Sequence, residues 1–146
     1  MSDERLVSDE RRVSDEEEAD IRRFFAGYVE TFEDLKVLAW LVEGAARGRA
    51  TAERVAEETL LPEPVASESL ARLVAKGLIA SDVGRKTFRY VPVDAALGAT
   101  LDMALERYRR NPVEIIGFMT ANAIDRVKTA ALRTFAESFR IRGPRK

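Results

Sequence analysis

Cysteine and histidine are both missing from this chain of 146 residues. Without cysteine there is no disulfide framework, no thiolate metal site and no thiol switch. Without histidine the commonest general base and the imidazole metal ligand go as well. No apolar run approaches the ~18 residues of a membrane span, and the acidic N-terminus is the opposite of a basic signal-peptide start. None of the eight glycines sits in a phosphate-cradling motif. Carboxylate or Ser–Lys chemistry stays open, but these absences point away from an enzyme. The expectation is a non-catalytic protein of a reducing cytoplasm, with no membrane partner, no metal and no cofactor.

What is present suits one folded unit. Hydrophobic residues make up 46% and charged residues 34%, a globular composition with a richly charged surface. The net charge of −1 hides an uneven layout. Residues 1–20 hold nine acids and three bases, residues 21–100 eleven of each, and residues 101–146 five acids and ten bases. The middle is neutral while the two ends oppose each other.

Three regions follow. Residues 1–20 contain a crude six-residue repeat: Ser2-Asp-Glu-Arg, Ser8-Asp-Glu-Arg and Ser14-Asp-Glu-Glu. A period of six matches neither helix nor heptad, so it reads as a solvated acidic tail. Residues 21–93 form the second region and residues 94–146 a third, helical one. An extra helix carries Phe24, Phe25 and Tyr28, and Thr31-Phe-Glu-Asp34 is a helix start for about Phe32 to Ala46. Asp94 starts a helix of about 95–110. Asn111-Pro-Val-Glu114 opens a short helix with Ile115 to Met119, and a last helix runs from about Asn122 to Phe139.

The most telling stretch is Thr51 to Ile79. Thr51 is an N-cap candidate, and Ala52, Val55, Ala56 and Leu60 give an i, i+3, i+4, i+8 buried face. Leu61-Pro-Glu-Pro64 breaks that helix and opens the next, where a proline is tolerated in the first turn. Ala66, Leu70, Leu73 and Val74 form the buried face of this second helix, and Gly77 ends it in a left-handed turn. Val83-Gly-Arg-Lys-Thr-Phe-Arg-Tyr90 then reads as a basic, aromatic hairpin closed by Pro92.

Helix, turn, helix and hairpin, with Leu70, Leu73, Gly77 and Leu78 closing the second helix, resembles bacterial winged helix-turn-helix transcription regulators of the MarR and ArsR kind over about residues 32–93. The resemblance implies a mainly α fold with a small β-hairpin wing and a C-terminal helical extension. It implies a transcription regulator that binds double-stranded DNA, with a recognition helix of about 64–76 in the major groove. Ser67, Glu68 and Ser69 would stand where base edges are contacted, with Arg72 one turn further on. Thr51 and Arg54 would face phosphate, and Arg85, Lys86 and Arg89 would ride the wing (83–90) on the backbone or in the minor groove. Arginine or another donor is commoner in relatives where Glu68 stands, and the competing reading of Glu68 is an i,i+4 surface pair with Arg72. The metal-sensing ArsR variant is disfavoured by the absent cysteines and histidines.

The C-terminal region carries more apolar surface than a 60-residue winged helix needs, with Leu97, Leu101, Leu105 and Tyr108, then Ile124, Val127, Phe135 and Phe139. A homodimer through these helices is the favoured reading; packing over Trp40 and Leu41 within one subunit is the other. A small-molecule pocket near Trp40, Tyr108, Phe118 and Met119 is the weaker alternative to plain core. Neutral charge over the middle region keeps a second function open, an adaptor whose winged helix binds a protein partner.

Overall fold

The computed structural model describes residues 3–45, 48–82, 84 and 86–141, with side chains described for 15–45, 48–82, 84 and 86–138. Six helices and three short strands follow in the order α1 (Asp3–Gly27), α2 (Phe32–Glu43), β1 (Ala50–Thr51), α3 (Ala52–Thr59), α4 (Glu63–Ala75), β2 (Ile79–Ser81), β3 (Thr87–Tyr90), α5 (Ala95–Arg110) and α6 (Pro112–Ile141). The expected class therefore holds: mainly helical, with a small sheet and a C-terminal helical extension.

Each helix start has a local cause. The hydroxyls of Thr31 and Thr51 accept from the backbone N–H groups of Asp34 and Arg54 at 3.1 and 3.2 Å. Asp94 accepts from Leu97 at 2.7 Å, and Asn111 from Glu114 at 3.3 Å. These bonds satisfy donors that a helix N-terminus would otherwise strand.

The ends of α3 and α4 are built alike. In α4, Leu78 N–H donates to Leu73 and Gly77 N–H to Val74, at 3.1 and 3.0 Å. Gly77 sits between them at φ +79°. In α3, Leu61 N–H reaches Ala56 and Leu60 N–H reaches Glu57. There the left-handed position, φ 58°, is filled by Leu60; the turn takes it off the helical face, so it is exposed and not buried as its spacing predicts. Both are Schellman turns, a conformation that suits glycine and costs a β-carbon.

The wing is a three-stranded antiparallel sheet ordered β1-β3-β2. Ala50 faces Phe88 and Thr51 faces Thr87 across one edge of β3; Ile79, Ala80 and Ser81 face Tyr90, Arg89 and Phe88 across the other. Period-two alternation buries Phe88 and exposes Arg89. The core beneath is shared: Leu35, Val37 and Leu38 of α2, Val55 of α3, and Leu70 and Leu73 of α4 are fully or almost fully buried.

The structure differs from the sequence reading in the helical elements and the sheet as well. The acidic segment is not a separate tail: α1 is one helix from Asp3 to Gly27, running through the expected boundary at residue 20. Within its described part Arg22–Glu18 and Arg23–Asp20 pairs lie at helical spacing. The two helices expected after Asn111 are a single helix of 30 residues, since nothing in Thr120-Ala-Asn122 breaks the backbone ladder. The strand β1 was not anticipated.

Helix α6 also reverses its amphipathic sense. Ile115 and Met119 are buried against the body of the protein. Further along, Ile124, Val127, Leu132 and Phe135 are exposed, at 50–70% of their surfaces. The body-facing positions there are polar instead: Asn122, Asp125, Arg126 and Arg133 line, with Ala26 of α1, an open hollow of about 410 Å³.

Candidate nucleic-acid interface

Helix α4 displays one outward stripe. Pro64, Ser67, Glu68, Ala71 and Ala75 are exposed at helical spacing, while Ala66, Ser69, Leu70 and Leu73 are buried. Beside the stripe, Ser67, Ala71, Val74 and Ala75 join Ala52, Ser81 and Phe88 around a hollow of about 420 Å³ between α4 and the sheet. No Lys or Arg lies on this stripe.

Two of the residues expected at base edges or near them face elsewhere. Ser69 is fully buried. Arg72 turns away from the stripe and grips Asp34 of α2: Nε donates to both carboxylate oxygens at 3.2 and 3.0 Å, and Nη2 donates to Oδ1 at 2.8 Å. Nη2 also donates to Ser69 Oγ at 3.3 Å. Asp34 is only 1% exposed, whereas the Arg72 side chain keeps 32% of its surface. Its hydrogen bonds to Asp34 raise the Arg72 guanidinium further above its ordinary range, against the opposing effect of burial. The expected Glu68–Arg72 surface pair is therefore absent, because a buried carboxylate offers the guanidinium a bidentate partner that an exposed glutamate cannot match. Ser69 and Arg72 form an α2–α4 clamp rather than a reading surface.

Ser67 and Glu68 remain on the outward face, and Glu68 makes no ion pair among the described residues. Thr51 is exposed, but its hydroxyl is engaged in capping α3. Arg54 is exposed and its guanidinium carbon lies 5.9 Å from the centre of the Trp40 ring. Lys86 and Arg89 are exposed on the wing without an ion pair among the described residues; Arg85 lies outside the described residues. The base of the wing is fixed by Asp82, which accepts from Thr87 Oγ1 and, at 2.9 Å, from Arg49. This Arg49–Asp82 link escaped the sequence reading, since the two residues are 33 positions apart. The structure thus gathers Ser67 and Glu68 on α4, and Lys86 and Arg89 on the wing.

The clamp does not stand alone. Lys76 at the end of α4 pairs with Glu30 at 3.5 Å, and Arg126 of α6 donates to the Glu30 carbonyl at 3.1 Å. The α1–α2 connection is held from two sides. Tyr90 packs on the core from the wing, and burial, reinforced by Asp102, pushes its phenol above the ordinary value. The aromatic residues considered for a small-molecule pocket have separate neighbours: Trp40 faces Arg54, while Phe118 of α6 lies under Arg22 of α1, at 4.6 Å. Among the described residues no group of carboxylates could hold a metal ion, and no helix is long and apolar enough to cross a membrane.

Residues 31–96 match the family described as sugar-specific transcriptional regulator TrmB. No curated protein matches the chain significantly. Among solved structures, a Listeria innocua protein of unknown function is 18% identical, with 92% of this chain and 93% of that one covered and a TM-score of 0.44. A transcriptional regulator from Thermotoga maritima is 14% identical over 97% of both chains, with a TM-score of 0.43. A MarR family regulator from Neisseria meningitidis is 21% identical over 70% of this chain and 79% of that one, with a TM-score of 0.38. The family match coincides with α2 through the first turn of α5, the winged helix itself. This segment is similar to the winged helix of that transcription-regulator family.

Proposed function

We propose that the protein is a cytoplasmic, homodimeric regulator that lays α4 in the major groove of duplex DNA and its wing on the adjacent backbone. One observation carries this reading: the outward stripe of α4 and the exposed cations Lys86 and Arg89 belong to the segment that matches a transcription-regulator family. The division of labour follows from charge. Lys86, Arg89 and Arg54, with Arg85 beside them in sequence, supply phosphate contacts and hence affinity. Ser67 and Glu68 supply no general affinity and are left to read bases. The dimer is supported by the outward apolar stripe of α6, since a two-fold pair of such helices would cover it.

The test is a salt titration of duplex binding with the full chain. The triple variant Arg85→Ala, Lys86→Ala, Arg89→Ala should bind more weakly and lower the salt slope by roughly 2–3. An unchanged affinity and slope would remove the wing from the interface. The adaptor reading draws on one feature, the lack of any cation along the α4 stripe. It predicts no salt-dependent duplex binding by the unmodified chain.

A further inference from the structure

We propose that Glu68 is the specificity-determining residue of α4 and reads the N4 amino group of a cytosine, so that the target carries an obligatory C·G pair. This rests on the DNA-binding reading above and goes one step further, to what the helix recognises.

The argument begins with the side chains that α4 presents. Of Pro64, Ser67, Glu68, Ala71 and Ala75, four are short, so the helix backbone can approach a groove floor closely. Among these five Glu68 is the long, strongly hydrogen-bonding one; the other exposed acid of the helix, Glu63, stands at its entrance in the first turn. Its usual partner at i+4, Arg72, spends three hydrogen bonds on Asp34 and makes no ion pair with Glu68. Glu68 is therefore left without an ion pair among the described residues, its carboxylate free to accept from a base on the exposed edge of the stripe.

A carboxylate only accepts hydrogen bonds. Guanine presents two acceptors in the major groove, and thymine one acceptor and a methyl group, so both repel it. Adenine offers its N6 amino group but sets the N7 acceptor next to it. Cytosine offers an amino group with no acceptor on its own major-groove edge. Cytosine is thus the one base whose edge suits Glu68. Ala71, one turn beyond Ser67, places a methyl group where a neighbouring thymine methyl could rest. The charge that gives this selectivity also repels phosphate, and Lys86 and Arg89 offset that repulsion without reading sequence.

Two opposed effects should therefore appear on removing the charge. Selection of bound duplexes from a randomised library, with the full chain, should give a consensus containing one invariant C·G pair. Glu68→Gln should move that position to A·T, because a glutamine amide pairs with adenine N6 and N7. Glu68→Ala should lose the preference there, with the ratio of specific to random-sequence binding falling roughly ten-fold or more, while affinity for random DNA rises. A glutamate that merely repels phosphate would give the rise without the altered consensus, and that result overturns the proposal. A consensus lacking the C·G pair, or one retained in Glu68→Ala, overturns it while leaving DNA binding intact. Failure of the unmodified chain to bind any duplex at low salt overturns the DNA reading itself.

Discussion

Asp34 and Arg72 lie 38 residues apart and meet in a bidentate, three-bond contact that joins α2 to α4. Asp34 is buried, so its charge is tolerated only because the guanidinium and the N-terminus of α2 compensate it. Arg72→Ala should cost about 2–3 kcal/mol, toward the lower end for a charged hydrogen-bonded pair because part of Arg72 remains in water. Asp34→Leu combined with Arg72→Met should cost much less, since no stranded charge is left behind. Urea unfolding measures both; a single variant within about 0.5 kcal/mol of the parent would refute the clamp.

The reversed stripe of α6 separates two substitutions that look equivalent in the sequence. Leu101 is fully buried in α5, so Leu101→Glu should unfold the chain. Val127 is 70% exposed, so Val127→Glu should keep the helical spectrum yet shift sedimentation from dimer to monomer. A parent protein that already sediments as a monomer would disprove the dimer.

Tyr90 sets a test at alkaline pH. Burial favours the neutral phenol, so its folded value stands above its unfolded one. The resulting contribution to stability is complete below about pH 10 and disappears as pH rises through the folded value. Tyr90→Phe should abolish this loss, and should delete one component of an alkaline absorbance titration. Should the variant titrate like the parent, Tyr90 is not held in the core.

Leu60 marks a place where stability can be gained. A β-carbon in the left-handed region costs about 1–2 kcal/mol, whereas the extra chain entropy of glycine costs about 0.5–1. The first term is larger, and an exposed leucine loses little packing. Leu60→Gly should therefore stabilise by about 0.5–1 kcal/mol, read as a higher urea midpoint at unchanged slope; a lower midpoint contradicts the prediction.

Local chemistry made much of this fold legible. Thr31, Thr51, Asp94 and Asn111 each cap a helix as their type and position suggest, and Gly77 ends α4 where the leucine spacing requires. Failures came where the deciding contact is distant or the pattern is not apolar. Arg72 has an attractive neighbour in Glu68, and only the packing of α2 beside α4 shows that Asp34 takes it instead. The start of α1 has no apolar stripe to announce it, yet glutamate and arginine are good helix formers. A strand of two residues such as β1 exists through its pairing with β3 and has no pattern of its own. The outward stripe of α4 was readable in outline, but not which of its members stay free.

The pairing of Ala50 with Phe88 and of Thr51 with Thr87 fastens the hairpin to the first residue of the chain entering α3. Arg49 reaching Asp82 reinforces that seam from outside. The hairpin and the two helices before it consequently travel as one stiff plate. A partner meeting this plate finds its contacts already spaced, so little freedom is surrendered on docking and small changes in the partner's own shape are felt as misfit.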